Sequence, residues 1–291
     1  MNKDFAGRVV IVTGAGAGLG RSHALGLAAE GARVALFDLT APQSVAEEIR
    51  AAGGEALAIA CDVANMAAVE RGVAQVTEAW GRVDVLVNNA GILRDKTFAK
   101  LTPADFAQVL AVHLTGSFHC TKAVWEIMRA QGYGRIVLTS SASGIYGNFG
   151  QSNYGAAKAA MIGLMNVLHL EGAKYNIRVN TLAPTAATGM TEGLITAEEA
   201  ALLAPDTVTP GVLYLTHEDA PSRVILGAGA GVFAVTHIAE TEGAWLPPAE
   251  RTARGIAAAM DRITDRQGEA THGSALDQTR KFVDIARKAR A

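Results

Sequence analysis

Only two cysteines occur in 291 residues, Cys61 and Cys120, and both lie inside apolar runs. Two thiols cannot build a multi-bridge framework, which excludes a disulfide-stapled scaffold and fits a reducing compartment. Charge excess is equally scarce: 26 Lys and Arg against 28 Asp and Glu leave a net charge of −2. Without a basic field to attract nucleic acid or an anionic membrane, small molecules are the expected partners. No apolar stretch approaches the roughly 18 residues of a membrane span, because charged residues, Gly or Pro interrupt each one. The opening MNKDFAGRVVIVTG passes from a short polar start straight into a strand-like run, without the charged, apolar and small-residue pattern of a leader. A cytoplasmic protein is expected. No internal repeat, low-complexity tract or Pro-rich linker divides the chain, and no metal ligand is assigned.

What is abundant is apolar sequence of strand length: RVVIVTG, RVALFD, EALAIACD, VDVLVNNAG, GRIVLTSSAS, IRVNTLAP and a late RVILGAGAGVFAV. Solid runs rather than alternating ones mean strands buried on both faces. Between them, Gly20 to Glu30, Met66 to Trp80, Pro103 to Met128 and Asn153 to Tyr175 are long enough for crossover helices. The fold class predicted is α/β, a single-domain Rossmann-type doubly wound parallel sheet with helices on both faces. The first boundary falls at GAWLPP, Gly243 to Pro248, giving a catalytic domain over 1–245 and a helical C-terminal extension over 246–291. That extension is expected to pack on the same domain or on a neighbouring subunit.

The first strand ends in TGAGAGLGRS, which places Gly14, Gly18, Leu19 and Gly20 where strand turns into helix. Gly14 allows the tight turn, Gly18 lets backbone approach a pyrophosphate, and Gly20 allows close packing, while the helix N-terminus offers its amides. Asp38 ends the second strand, where a carboxylate can accept from ribose hydroxyls and repel a 2′-phosphate. Ala17 and Leu39 add no basic residue, although Arg21 is near, so NAD is favoured over NADP. A helix-capping or turn aspartate is the plainer reading of Asp38. Asp62 and Val63 follow the third strand, and Asn88, Asn89, Ala90 and Gly91 end the fourth. Those carboxyl ends border the ligand crevice of open α/β sheets. Asp62 could there hold an adenine amine, and Ala90 and Gly91 leave room for ribose and nicotinamide; polar strand-to-helix turns are the alternative.

Twelve residues separate Ser141 from Tyr154, and three separate Tyr154 from Lys158, so phenol and ammonium share one helix face. A phenol of pKa about 10 is a poor base near neutrality. Lowering it by about 3 units needs about 4 kcal/mol of phenolate stabilisation, which Lys158 and a cationic cofactor ring could supply. Ser141 would hold the substrate oxygen.

Thr13 to Gly20, NNAG at Asn88 to Gly91, Ser141 and Y-x-x-x-K at Tyr154 to Lys158 together resemble a short-chain dehydrogenase/reductase of the single-domain kind. Within that family, NNAGILRDKTF, VHLTGSF and YGRIVLTSSASGIYGNFGQSNYGAAK resemble the (3R)-hydroxyacyl-CoA dehydrogenase part of peroxisomal multifunctional enzyme type 2 and its bacterial stand-alone relatives. The resemblance implies oxidation of a (3R)-hydroxyacyl-CoA to its 3-oxoacyl-CoA with NAD, in a homodimer or homotetramer. A hydroxysteroid or sterol-side-chain CoA ester is the alternative substrate, and a non-catalytic NAD-binding protein the alternative of another class. Two positions depart from the wider family. His113 stands where an asparagine usually anchors a proton-relaying water, and is read as a variant relay or as a core histidine. Pro184 is followed by Thr185 instead of glycine, with Thr188 the candidate for the nicotinamide carboxamide.

Met190 to Asp206 reads as a short helical insertion over the crevice, its Leu194, Ile195, Leu202 and Leu203 lining a substrate site or making ordinary core. The closing helix, with Arg280, Lys281, Arg287, Lys288 and Arg290, is either a solvated face or a contact for CoA phosphates.

Overall fold

The computed structural model describes residues 4–188 and 196–290. These residues fall into two compact units, 1–235 and 236–291.

Unit 1 holds one eight-stranded sheet in the order β3-β2-β1-β4-β5-β6-β7-β8. Its strands are β1 (Val9–Thr13), β2 (Arg33–Asp38), β3 (Glu55–Ala60), β4 (Val85–Asn88), β5 (Gly134–Thr139), β6 (Ile177–Pro184), β7 (Ile225–Gly229) and β8 (Val232–Thr236). Every pairing from β3 across to β7 is parallel. The solid apolar runs have the reason expected of them. In β1, Val9 and Ile11 enter one core while Val10 and Val12 enter the other. The first core lies under α3 (Met66–Trp80), α5 (Gly116–Gln131) and α7 (Ser152–Gly172). The second lies under α1 (Gly18–Ala29), α2 (Gln43–Ala51) and α9 (Thr209–Thr216).

Two segments depart from the sequence expectation, and a third, the insertion, is helical in its described part as expected. The late run RVILGAGAGVFAV is two strands, because Ala230 and Gly231 both take positive φ, 50° and 73°. A two-residue connection of that hand closes a hairpin, so the eighth strand is antiparallel to the rest. The stretch Pro103 to Met128 is not one regular helix. It breaks into α4 (Pro103–Leu110), a π-turn over Ala111–Thr115, and α5. The insertion contributes α8 (Ala197–Leu202), started by a capping box in which Thr196 and Glu199 exchange hydrogen bonds. Leu202 there is exposed, and Leu194 and Ile195 lie outside the described residues.

Unit 2 carries α10 (Ala253–Ala258), α11 (Met260–Ile263) and α12 (Ala275–Lys288). Within it Lys281 binds Glu240 at 2.7 Å, which removes one cation from the basic set of the last helix. Ile256, Met260, Leu276 and Val283 on these helices are exposed. Among the described residues no helix is long and apolar enough to cross a membrane.

Candidate active site

The strand order reverses between β1 and β4, and ligands bind open α/β sheets beyond the carboxyl ends of strands at such a point. A cleft of about 390 Å³ opens there. It gathers nearly all the predicted residues: Gly14, Gly18, Leu19, Asp38, Asp62, Val63, Asn89, Ala90, Gly91, His113, Tyr154, Lys158, Pro184 and Thr188. Two stand back from its wall. Gly20 lies beneath the turn, where an added Cβ would meet the Gly14 carbonyl oxygen at 2.0 Å, so the helix can approach the strand only with glycine there. Ser141 caps α6 (Ala142–Tyr146) and hydrogen-bonds toward the Tyr154 phenol.

The cofactor end is held by backbone. Asp38 accepts from the Gly16 amide through Oδ2 at 2.9 Å and from the Leu39 amide through Oδ1 at 2.8 Å, fixing its carboxylate at the rim. The nearby cation, Arg21, is drawn to Glu48 on α2 at 2.5 Å. The Thr13 hydroxyl, which carried no assignment in the sequence, accepts from the amides of Asn89 and Ala90 at 2.9 and 3.0 Å. It ties the β1 turn to the NNAG turn. Cys61, Ile92, Val112 and Thr139 also line the cleft. Thr139 and Cys61 could have been signalled by their places at the carboxyl ends of strands.

At the chemical end, α7 brings Tyr154 and Lys158 to one face, with the Lys158 ammonium 5.5 Å from the Tyr154 ring centroid. Lys158 is buried, donates to the Thr139 carbonyl at 2.7 Å, and is pulled down to about 7 by burial. Burial pushes the Tyr154 phenol up, as does the Asp95 charge, while Ser141 opposes them. The phenol is therefore raised, not lowered as the spacing alone suggested, because burial outweighs the Ser141 hydrogen bond and the Asp95 charge adds to it.

His113 owes its place to the π-turn, which turns the imidazole edge-on to the Tyr154 ring, centroids 5.2 Å apart. Its Nε2 lies 3.0 Å from the Ile92 amide nitrogen and 2.8 Å from the Ile92 carbonyl oxygen. Burial, with Lys158 nearby, lowers it to about 3, so it is neutral at physiological pH. Either neutral tautomer leaves the buried Nδ1 without a protein partner among the described residues. A Cβ on Gly91 would sit 2.3 Å from the imidazole Cε1, so Gly91 and His113 fit only as a pair.

These residues fit a dinucleotide. The glycine turn is too close to Ala90 to carry a side chain at Gly14, and two cleft-lining residues keep unpartnered polar atoms, His113 Nδ1 and Thr139 Oγ1. Fold and cleft together define a dinucleotide-binding α/β protein.

The comparisons with known proteins carry this one step further. The model of the short chain dehydrogenase family matches residues 8–199, and the chain belongs to that family, whose members typically use NAD or NADP. It is 49% identical over 228 residues to the peroxisomal multifunctional enzyme type 2 of Mus musculus, covering 74% of this chain and 30% of that protein. The structure of the full-length peroxisomal multifunctional enzyme type 2 of Drosophila melanogaster superposes with a TM-score of 0.84 at 39% identity, over 98% of this chain and 50% of that one. A crystallised short chain dehydrogenase of Mycobacterium avium matches with a TM-score of 0.79 at 37% identity, over 89% of this chain and 94% of its own. The chain thus spans half or less of these two multifunctional enzymes.

Proposed function

We propose that the protein is an NAD-dependent oxidoreductase interconverting a secondary alcohol and a ketone, with (3R)-hydroxyacyl-CoA and 3-oxoacyl-CoA as its substrate pair. The observation that carries this reading is the convergence of Tyr154, Lys158 and His113 on one cleft wall, with Ser141 at the phenol. The acyl-CoA assignment is supported by likeness to multifunctional enzymes over most of this chain. The choice of NAD is supported by the fixed Asp38 carboxylate and by the engagement of Arg21 with Glu48.

Gly14, Gly18 and Leu19 would hold the pyrophosphate, Asp38 the adenosine ribose, Asp62 and Val63 the adenine, and Asn89, Ala90, Gly91, Pro184 and Thr188 the nicotinamide half. When bound, the cofactor accepts the hydride and adds a positive ring to the site. Tyr154 takes the hydroxyl proton while Ser141 holds the same oxygen. A phenol raised by burial needs cationic help to work near neutrality, and Lys158 is the protein's source of it. His113, neutral and with Nδ1 unpartnered, supplies an acceptor or a donor for a proton path leading from Lys158 toward solvent.

Assembly as a dimer or tetramer belongs to the same proposal. Phe118 on α5 and Val167 and Leu170 on α7 leave apolar surface exposed, which makes these two helices candidates for the subunit interface. The direct test of the activity is an NADH-production screen of (3R)- and (3S)-hydroxyacyl-CoA alongside hydroxysteroids. Turnover of the (3R) ester is expected. Preference for a steroid, or no alcohol oxidation at all, would overturn the assignment.

A further inference from the structure

The turn between β3 and α3 carries Asp62 and Val63, two lining residues of the cleft, and most of its hydrogen bonds stay within a few residues. The Asn65 amide donates to the Asp62 carbonyl at 3.0 Å, and the Ala64 amide donates to Asp62 Oδ1 at 2.9 Å. The Asn65 side chain then caps α3 by accepting from the Ala68 amide at 3.1 Å. The Val63 carbonyl instead meets a side chain 56 residues along the sequence, where His119 Nδ1 on α5 lies 3.0 Å away. A carbonyl oxygen only accepts, so Nδ1 carries the proton and donates.

α5 bears on this turn at a second point. Gly116, one helical turn before His119, lies so close that an added Cβ would stand 2.7 Å from Val63 Cγ2. Val63 itself is buried, and His119 is half-buried. The Val63 carbonyl and the Ala64 amide belong to one planar peptide unit. His119 holds the carbonyl end of that plane, and the amide end holds Asp62 Oδ1. The imidazole therefore fixes the plane, and the plane fixes the Asp62 carboxylate, whose Oδ1 is the only oxygen engaged by a hydrogen bond among the described residues.

We propose that His119 is a positioning residue for the cofactor, which orients the Asp62 carboxylate through the Val63–Ala64 peptide and so selects a dinucleotide whose purine carries an exocyclic amine. The inference rests on the placing of adenine at Asp62 and Val63 in the reading above. A carboxylate is an acceptor, so it favours adenine, whose amine donates, over hypoxanthine, where an oxygen replaces that amine. A supporting group that locks the first contact decides how much of that preference is realised. Without the His119 donor the peptide is free to rotate, and the carboxylate rotates with it. The preference should then fall by about threefold to tenfold, the usual worth of one hydrogen bond.

The test is the ratio of Kd values for NAD and nicotinamide hypoxanthine dinucleotide, measured by calorimetry with no alcohol present. Wild type should bind NAD more tightly. His119→Leu should shrink that preference about threefold to tenfold by weakening NAD alone. His119→Asn, which offers an amide N–H near the place of Nδ1, should retain it. Should the leucine variant fail to fold, His119→Phe keeps the bulk of the ring without the donor and is read in the same way. In an Asp62→Ala background, His119→Leu should change the ratio no further, a result that a general loss of stability does not produce. Equal weakening of both dinucleotides, or an unchanged ratio, would overturn the inference. Equal binding of both dinucleotides by the wild type would overturn the placing of adenine beneath it. Selective NAD binding without oxidation of any alcohol would overturn the proposed reaction and leave the role of His119 standing.

Discussion

Replacing Asp38 with asparagine isolates the charge proposed to set the choice between dinucleotides. The side chain is bound through both oxygens to backbone amides, at 2.9 and 2.8 Å, so asparagine retains the shape and one acceptor while the charge goes. In NADP a phosphate on the adenosine ribose would sit against this carboxylate. Two unit charges at about 4 Å interact by about 4 kcal/mol at an effective dielectric of 20. Asp38 is half-buried at the cleft rim, and solvent screening brings the figure to about 2 kcal/mol, roughly 30-fold in kcat/KM. Arg21 cannot cancel it while bound to Glu48. The assay is the ratio of kcat/KM for NAD and NADP with one alcohol. Wild type should favour NAD, and Asp38→Asn should erase most of that preference. Equal use of both cofactors by the wild type, or an unchanged ratio in the variant, would refute the reasoning.

Gly91→Ala puts a methyl 2.3 Å from the His113 ring, which the Ile92 backbone and Tyr154 hold in place. Overpacking should cost about 1–3 kcal/mol in urea unfolding. Displacing the ring should also reduce kcat by more than tenfold, whereas a variant equal to wild type in both would show that the pair is not tightly fitted. The pH dependence of stability has its own source. His23 and His113 are both buried and held at about 3, below the ordinary value of 6.5. The unfolded chain therefore binds protons that the folded chain refuses as pH falls from 6.5 toward 3. Stability is lost across that window, on the order of 4 kcal/mol between pH 7 and pH 5 for the two together. Urea titrations should show it, and His23→Gln should flatten the slope; a slope unchanged by that substitution would contradict it.

Much of the fold was legible because its strands are buried on both faces, and such strands announce themselves as unbroken Val, Ile, Leu and Ala runs. The same logic located the cleft, since polar residues at the carboxyl ends of those runs have nowhere to go but its rim. What stayed hidden depended on geometry without compositional trace. AVHLT contains no helix breaker, yet the chain takes a π-turn there and swings His113 against Tyr154. The glycines of GAGAG signal a bend or a close contact, but nothing in the run singles out the two-residue hairpin at Ala230 and Gly231. His23 sits mid-helix on α1, and its partner Thr209, 3.0 Å away, begins a helix far along the chain. Asp95 lies in the stretch NNAGILRDKTF, but only the fold brings it beside Gln151.

The central claim is that Tyr154 moves the proton while the cofactor takes the hydride. Tyr154→Phe removes only the hydroxyl, and NADH formation from a (3R)-hydroxyacyl-CoA measures the consequence. The rate should fall by about 10²- to 10⁴-fold, the usual worth of a positioned acid or base, with NAD binding retained. A variant that oxidises the ester within tenfold of the wild-type rate would contradict the account.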